Sequence, residues 1–530
     1  MSISVQDRAQ QRGIKPARNR HRATPAKRPA GRPWDAVVVA LLTITLSAAG
    51  AARPSLWFDE AATISAGTRS VPELWRMIGN IDAVHGVYYL LMHGWYAVFP
   101  ATEFASRLSS ALAAGLAAAG VVVLGKQVST RTVAITAGIA FAVLPRVTWA
   151  GMETRSYALC MAVAVWLTVF CIRTARRGSS WWWAGYAAML AGGVLLNVYL
   201  LLIVPAHAAA VLGFGHRPRA FRYWTLAAAV AVTASVPFLI FSQSQLFQVR
   251  WIARLSPDTV GKVLQHQYFD QSRAAAVAGG VILACGALSG LWAASRRSTR
   301  LPGVDLGPFL ALTLTWIIAP TATALIYSVV RSPIYYPRYL SFTVPAFALL
   351  LGVCVVAVGR SRAGIAAVLV LFTAATVPTY LFQRAPYAKA DMDYSAVADV
   401  IDRNAAPGDC LVLDNSTTWM PGPIRPLTAA RPAVYQKLRD YGRGLTAVQR
   451  NRLWDAHIAV WAWADKMPEC PALWTVTEFD PTLPTYQRGP ALPAGPRLAR
   501  AMAYQVPSRF GFHVVERWQF SYAQLTKSVR

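Results

Sequence analysis

The chain has 530 residues, of which 55% are apolar and only 14% charged, whereas an ordinary soluble domain is about a quarter charged; this composition excludes a soluble enzyme and describes a polytopic membrane protein. Its formal charge of +28 comes from arginines in short clusters between apolar runs. That distribution argues against a nucleic-acid-binding face and fits Lys and Arg retained beside the cytoplasmic ends of membrane spans.

Residues 1–33 are rich in Arg, Pro and Ala without periodicity, the composition of a disordered tail. It is expected in the cytoplasm, drawn to anionic lipid, and it lacks the core and cleavage site of a signal peptide. A membrane domain is expected over 34–385. Its first span, 34–52, delivers Asp59 to the outer face. Residues 53–105 form a long outer loop in which 71–81 and 87–99 carry apolar residues at helical spacing, suited to helices lying in the interface.

The second span is 106–124, and further apolar runs fall at 132–149, 156–172, 181–198, 200–215, 223–242, 274–294, 307–328, 339–359 and 363–383. The total is about eleven spans at about 20 residues each. The turns this count places in the cytoplasm are Arg173-Arg176-Arg177, His216-Arg217-Arg219-Arg222, Arg296-Arg297-Arg300 and Arg360-Arg362, all of them basic. The positive-inside rule therefore orients the chain with its N-terminus in and its C-terminus out. Three other outer connections, 145–156, 242–273 and 331–339, hold further polar groups.

Residues 386–530 have a soluble composition. A helix is expected over 393–405 and strands over 410–414, 457–464, 472–477 and 512–520, the pattern of a small extracytoplasmic α/β domain. Cys160, Cys171, Cys285 and Cys354 lie in spans and read as small apolar residues. Cys410 and Cys470 are the only pair in the C-terminal domain and are disulfide candidates in an oxidising compartment.

The polar groups kept at the outer edge are the functional candidates. Asp59 and Glu60 are adjacent carboxylates that can take a proton from a hydroxyl or ligate a divalent cation; the alternative is a solvated pair or a helix cap. His85 is either a substrate-orienting residue or a hydrogen-bonded structural one, and Asp82 reads as solvated. Glu153 and Arg155 are two residues apart, so they form either a site or a structural ion pair. Arg338 stands at the mouth of a span, where an unpaired guanidinium is costly; it either holds a lipid phosphate or snorkels. Trp419, Trp454, Trp461 and Trp463 can stack on sugars or pack a core.

Taken in order, Asp59-Glu60, the His85-x-x-Tyr88-Tyr89-Leu90-Leu91 segment, Arg107-Leu108, Glu153-Thr154-Arg155-Ser156-Tyr157-Ala158-Leu159 and Pro337-Arg338-Tyr339-Leu340 resemble the motifs of the GT-C glycosyltransferases. That superfamily includes protein O-mannosyltransferases and lipid A aminoarabinose transferases. The resemblance covers 34–385 and departs at Gly86-Val87, where relatives commonly have two prolines. It implies transfer of a sugar from a polyprenyl phosphate to an acceptor hydroxyl, with Asp59 at the family's catalytic carboxylate, Glu60 and His85 beside it, and Tyr88, Tyr89, Glu153, Arg155, Tyr157, Arg338 and Tyr339 around the substrate. The Ala- and Arg-rich composition fits a high-GC bacterium, for which mannose, then arabinose, is the expected sugar and a cell-envelope glycan or lipoglycan the acceptor. No cofactor is implied beyond a possible divalent cation. A lipid-linked sugar flippase and a non-catalytic glycan-binding assembly protein are the competing classes; the flippase predicts charge at the midplane of spans.

Overall fold

The computed structural model describes residues 34–177, 180–215, 217–295, 303–418 and 424–530. The basic tail 1–33, His216, the turn Arg296-Arg297-Arg300 and Trp419 lie outside these residues.

Among the described residues seven helices are long and apolar enough to cross a membrane, and four shorter apolar helices stand beside them. The first elements are α1 (Trp34–Ala48), α2 (Phe58–Gly67), α3 (Val71–Ile78), α4 (Gly86–Tyr96), α5 (Glu103–Val128), α6 (Arg131–Val143), α7 (Pro145–Ala150) and α8 (Tyr157–Arg177). The expected run 132–149 is broken at Pro145, which cannot donate to the helix ladder and starts α7 instead. The 200–215 and 339–359 runs likewise begin with tight turns, Val198–Ile203 and Pro337–Thr343, before their α-helices. Asn197, the turn signal between two runs, accepts the Tyr199 amide at 3.0 Å.

α5 is the central helix, packing on α1, α6 and α8. Its apolar faces are built largely from Ala and Gly, which let helix backbones approach closely in lipid. A Cβ on Gly115 would lie 2.4 Å from Ile44 of α1, so α5 tolerates no larger residue there. α1 is shorter than the expected 34–52 because Arg384 closes its end: Nε and Nη2 donate to the Ala49 and Leu46 carbonyls at 2.7 and 2.6 Å. Those carbonyls lack intrahelical partners, and a cation at a helix C-terminus is favoured.

The C-terminal domain has one five-stranded sheet in the order β1-β2-β5-β4-β3, with β1 (Cys410–Leu413), β2 (Leu473–Glu478), β3 (Tyr486–Leu492), β4 (His513–Gln519) and β5 (Ala523–Val529). β1 and β2 are parallel, in register Cys410 with Leu473, and the other pairs are antiparallel. The expected strand 457–464 is instead a 3-10 helix, Val460–Glu469, and β3 and β5 were not anticipated. β3 is an edge strand with mostly exposed residues, which blunts the apolar alternation that a sequence reading needs. Cys410 and Cys470 are disulfide-bonded, their Cα atoms 5.6 Å apart, tying β1 to the lead-in of β2.

This domain does not stand apart from the membrane bundle. Leu56, Trp57, Ala61 and Ile64 of α2 and its lead-in share one buried core with Tyr394, Val397 and Ile401 of the helix Tyr394–Asn404 and with Leu411, Trp474 and Leu525 of the sheet. Polar contacts stitch the same seam. Ser395 Oγ donates to Glu103 at 2.5 Å, Arg431 Nη2 pairs with Glu103 at 2.6 Å, and Phe58 packs on Trp454 with ring centroids 5.2 Å apart.

Candidate active site

Two adjacent carboxylates open α2, where acidic side chains are favoured by the helix dipole. The N-cap is Trp57, not an acid, and both carboxylates are buried, Asp59 at 9% and Glu60 at 0% exposure. The solvated-pair and Asp-cap alternatives are therefore both set aside. On a helix, neighbours point about 100° apart, and the two acids enter different surroundings.

Glu60 faces α5. Arg107 Nε and Nη2 grip it at 2.8 and 2.5 Å, while Thr154 donates to it from its amide at 3.2 Å and its hydroxyl at 3.3 Å. The remaining Arg107 protons go to the carbonyls of Ala51 and Pro54, each at 2.7 Å, and Ser55 at 3.1 Å. All five guanidinium donors are used. Burial pushes the Glu60 carboxyl up, but the Arg107 charge and hydrogen bonds outweigh it and hold it below its ordinary value. Glu60 is a structural anchor of the loop.

Asp59 faces Arg155 and Arg338 instead. Arg155 Nη2 lies 3.0 Å from one oxygen and Arg338 Nη2 3.2 Å from the other. Burial pushes this carboxyl up as well, and the two guanidiniums together bring it below the ordinary carboxylate range. Arg155 also donates to the Tyr89 hydroxyl at 2.8 Å, and Tyr89 donates to Asp82 at 2.6 Å. Asp82 is thus buried and paired, against the expectation that it is solvated; its φ of 59° places it in the left-handed region, which Asp tolerates better than most residues. Gln248 and Gln245, from the 242–273 connection, accept the Asp82 and Ala83 amides at 3.2 and 2.9 Å and so pin the His85 turn.

The His85 ring is tilted against Tyr89, centroids 5.8 Å apart, and Tyr88 is buried beside them on α4. Burial, reinforced by the Arg155 charge, drives the imidazole pKa down to about 4, so it is neutral near pH 7. Arg338 lies over the rings of Trp57, Trp251 and Tyr336 at 5.3, 5.8 and 4.8 Å, in the range of cation–π attraction. Tyr339, next in the chain, contacts Tyr157 and Tyr199 with centroids 6.5 and 5.6 Å away. A cavity of about 130 Å³ adjoins this wall, lined by Trp251, Arg254, Lys262, Tyr335 and Tyr336 among others.

Glu153 and Arg155 do not pair with each other. Glu153 is fully buried; it accepts the Trp57 indole N–H at 2.8 Å and pairs with Lys389, a residue that sequence reasoning passed over. Lys389 stands alone between a span and a helix, so only its burial identifies it. Three buried nitrogens at the site, His85 Nδ1, Arg155 Nε and Arg338 Nε, have no hydrogen-bond partner among the described residues. Each such group costs about 1 to 3 kcal/mol, so each has an unused donor or acceptor to offer. The acids here are engaged by guanidinium, ammonium or phenol groups, and no three His, Cys, Asp or Glu residues converge among the described residues, so the residues present do not form a cation cradle.

Among the described residues, eleven apolar helices, the loop that carries Asp59 and Glu60, and the sheet domain packed against α2 of that loop give a polytopic α-helical membrane fold of the GT-C kind. No family model matches the chain, and no curated protein is similar to it in sequence. Its fold is similar to that of ArnT from Cupriavidus metallidurans in the apo state, with a TM-score of 0.54 and 15% identity over 93% of this chain and 97% of that one. The Archaeoglobus fulgidus oligosaccharyltransferase tethered with an acceptor peptide is more distant, at TM-score 0.44 and 11% identity over 84% of this chain and 69% of that one.

Proposed function

We propose that the protein is a glycosyltransferase that moves a sugar, mannose in preference to arabinose, from a polyprenyl-phosphate donor to a hydroxyl of a cell-envelope glycan or lipoglycan. The GT-C fold supports this reading, and one observation carries it: Asp59 is held between Arg155 and Arg338, and His85 Nδ1 and both Arg Nε groups there lack hydrogen-bond partners among the described residues. The acceptor oxygen attacks the sugar's anomeric carbon, the bond to the phosphate oxygen breaks, and the acceptor proton passes to Asp59. The electron pair leaves on polyprenyl phosphate, which needs no strong general acid, so one base and a phosphate clamp suffice.

Arg338 is the clamp, and Arg254 and Lys262 in the adjoining cavity supply further positive charge. A carboxylate gripped by two guanidiniums is a weak base. Donor phosphate competes with Asp59 for Arg338, and that exchange frees one carboxylate oxygen for the acceptor. The aromatic wall of Tyr157, Tyr199 and Tyr339 offers faces for sugar and isoprenoid.

The basic turns support a cytoplasmic N-terminus, an extracytoplasmic domain after 385 and a reaction at the outer face. Transfer of radiolabel from purified polyprenyl-phosphate mannose or arabinose into a lipoglycan fraction tests the activity. Flipping of the donor without transfer would overturn it. A phosphatase fused after Phe382 is expected to be active and one fused in the 173–180 turn inactive; the reverse would put the site on the wrong side.

A further inference from the structure

Lys389 lies in the connection between the last membrane helix, Arg362–Phe382, and the first helix of the C-terminal domain, Tyr394–Asn404. A lysine in such a connection ordinarily stays in water. Here its side chain is 2% exposed, and the two residues after it, Ala390 and Asp391, have φ of 53° and 58°. That left-handed turn costs energy for residues other than glycine and persists only where the surroundings hold it. The turn aims Lys389 inward, where Nζ pairs with Glu153, donates to the Met152 carbonyl at 3.0 Å and sits 5.2 Å from the centre of the Trp149 ring.

Glu153 in turn accepts the Trp57 indole N–H at 2.8 Å, and the Trp57 ring lies 5.3 Å from the Arg338 guanidinium that pairs with Asp59. Trp57 is also the N-cap residue of α2, so its placement sets the start of the helix that carries Asp59. We propose that Lys389 is a positioning residue of the transferase site: by pairing with Glu153 it holds the acceptor of the Trp57 indole in place, and through Trp57 it sets Arg338 and the first turn of α2.

The charged and titratable groups facing Glu153 are Lys389 from the connection, Glu60 and Asp59 from α2, Arg107 from α5 and Tyr88 from α4. Burial pushes the Glu153 carboxyl up, the Lys389 ammonium opposes this, and repulsion from Glu60 adds to the rise. Without the ammonium, burial and the Glu60 charge push the Glu153 carboxyl further up, toward its neutral form. The indole then loses its charged acceptor. The C-terminal domain thereby reaches the chemistry through one side chain delivered by its own tether, besides packing on the back of α2.

The inference rests on the transferase reading for its kinetic arm only. Lys389→Met in the full chain is expected to lower kcat on the order of 10²-fold, the cost of a misplaced site, with donor KM little changed, and activity should climb at alkaline pH as Glu153 ionises. The double variant Lys389→Met/Glu153→Gln is expected to regain thermal stability, to keep the low kcat and to lose the alkaline climb. Difference infrared spectra of the folded protein give an arm independent of activity: a protonated carboxylic acid band should appear in Lys389→Met and be missing from the double variant. Wild-type kcat in Lys389→Met, absence of that band, or recovery of kcat together with stability in the double variant would each overturn the proposal. If the native protein transfers no sugar while the band behaves as expected, the transferase reading fails and the hold of Lys389 on Glu153 stands.

Discussion

Asp59→Asn separates the proton-accepting role proposed for this residue from its role as a counter-ion. The amide keeps the shape of the side chain and its place in the first turn of α2, and it removes both the basicity and the charge that Arg155 and Arg338 share at 3.0 and 3.2 Å. Loss of a general base typically lowers turnover by about 10²- to 10⁴-fold, equivalent to about 3 to 5 kcal/mol on the barrier. Donor affinity should move the other way or not at all, because Arg338 no longer has a carboxylate to give up before it meets the phosphate. Arg338→Ala is the complement: it removes a charge-assisted contact of about 1.5 to 3 kcal/mol, so donor KM should rise by about 10- to 100-fold while Asp59 keeps Arg155. The assay is radiolabel transfer at varied donor concentration, with donor binding measured separately on folded, detergent-solubilised protein. If Asp59→Asn turns over like the wild type, the base assignment is wrong. If it loses donor binding in parallel with turnover, Asp59 serves only to hold the guanidiniums.

Glu60→Gln leaves the fully buried Arg107 without its counter-charge, and breaking such a pair costs about 3 to 5 kcal/mol. The expected result is a lowered thermal midpoint or poor yield, and a folded, stable variant would refute the anchoring role. His85 is neutral in the folded protein, with a pKa of about 4 against an ordinary 6.5. The unfolded chain therefore binds the extra proton first, and the contribution of His85 is complete above about pH 6.5 and declines as pH falls toward 4. Asp393, pushed up to about 6 by burial, has the opposite slope in this window, so the quantity to measure is the difference between wild type and His85→Gln. Stability should fall less steeply with acid in the variant, and equal slopes would mean that His85 titrates normally. Replacing both Cys410 and Cys470 by Ser opens a loop of sequence separation 60, worth about 4 kcal/mol on the chain-entropy description. Calorimetry should show a lower midpoint for the C-terminal domain, and an unchanged one would mean that packing alone holds β1 to β2.

The membrane half was readable because crossing a bilayer is a local demand. About 20 apolar residues in a row satisfy it whatever the rest of the chain does, and the runs 106–124, 156–172 and 363–383 match observed helices to within one residue at the ends that overrun them. The boundaries that moved, at Pro145 and Pro345, are places where proline at the start of an α-helix interrupts a run that hydropathy alone sees as continuous. In the C-terminal domain, β1, β2 and β4 were legible from their apolar content; β3 was hidden by its exposure, and the 457–464 segment looked like a strand because its aromatic residues suit a sheet and a 3-10 helix equally well.

By itself the sequence determined that this is a polytopic membrane protein that keeps two adjacent carboxylates in a loop after the first apolar run, since hydrophobicity and chain order are carried residue by residue. Which partners each acid meets was decided only by packing. Asp59 and Glu60 are adjacent and chemically alike, and they differ because α2 turns one toward Arg155 and Arg338 and the other toward Arg107. The partners lie far away in the chain: 47 residues separate Arg107 from Glu60, 236 separate Lys389 from Glu153 and 292 separate Ser395 from Glu103. No local pattern encodes such pairings. A buried charge is tolerated only where the folded chain brings an opposite one to it, so the division of labour among these acids comes into being with the tertiary structure.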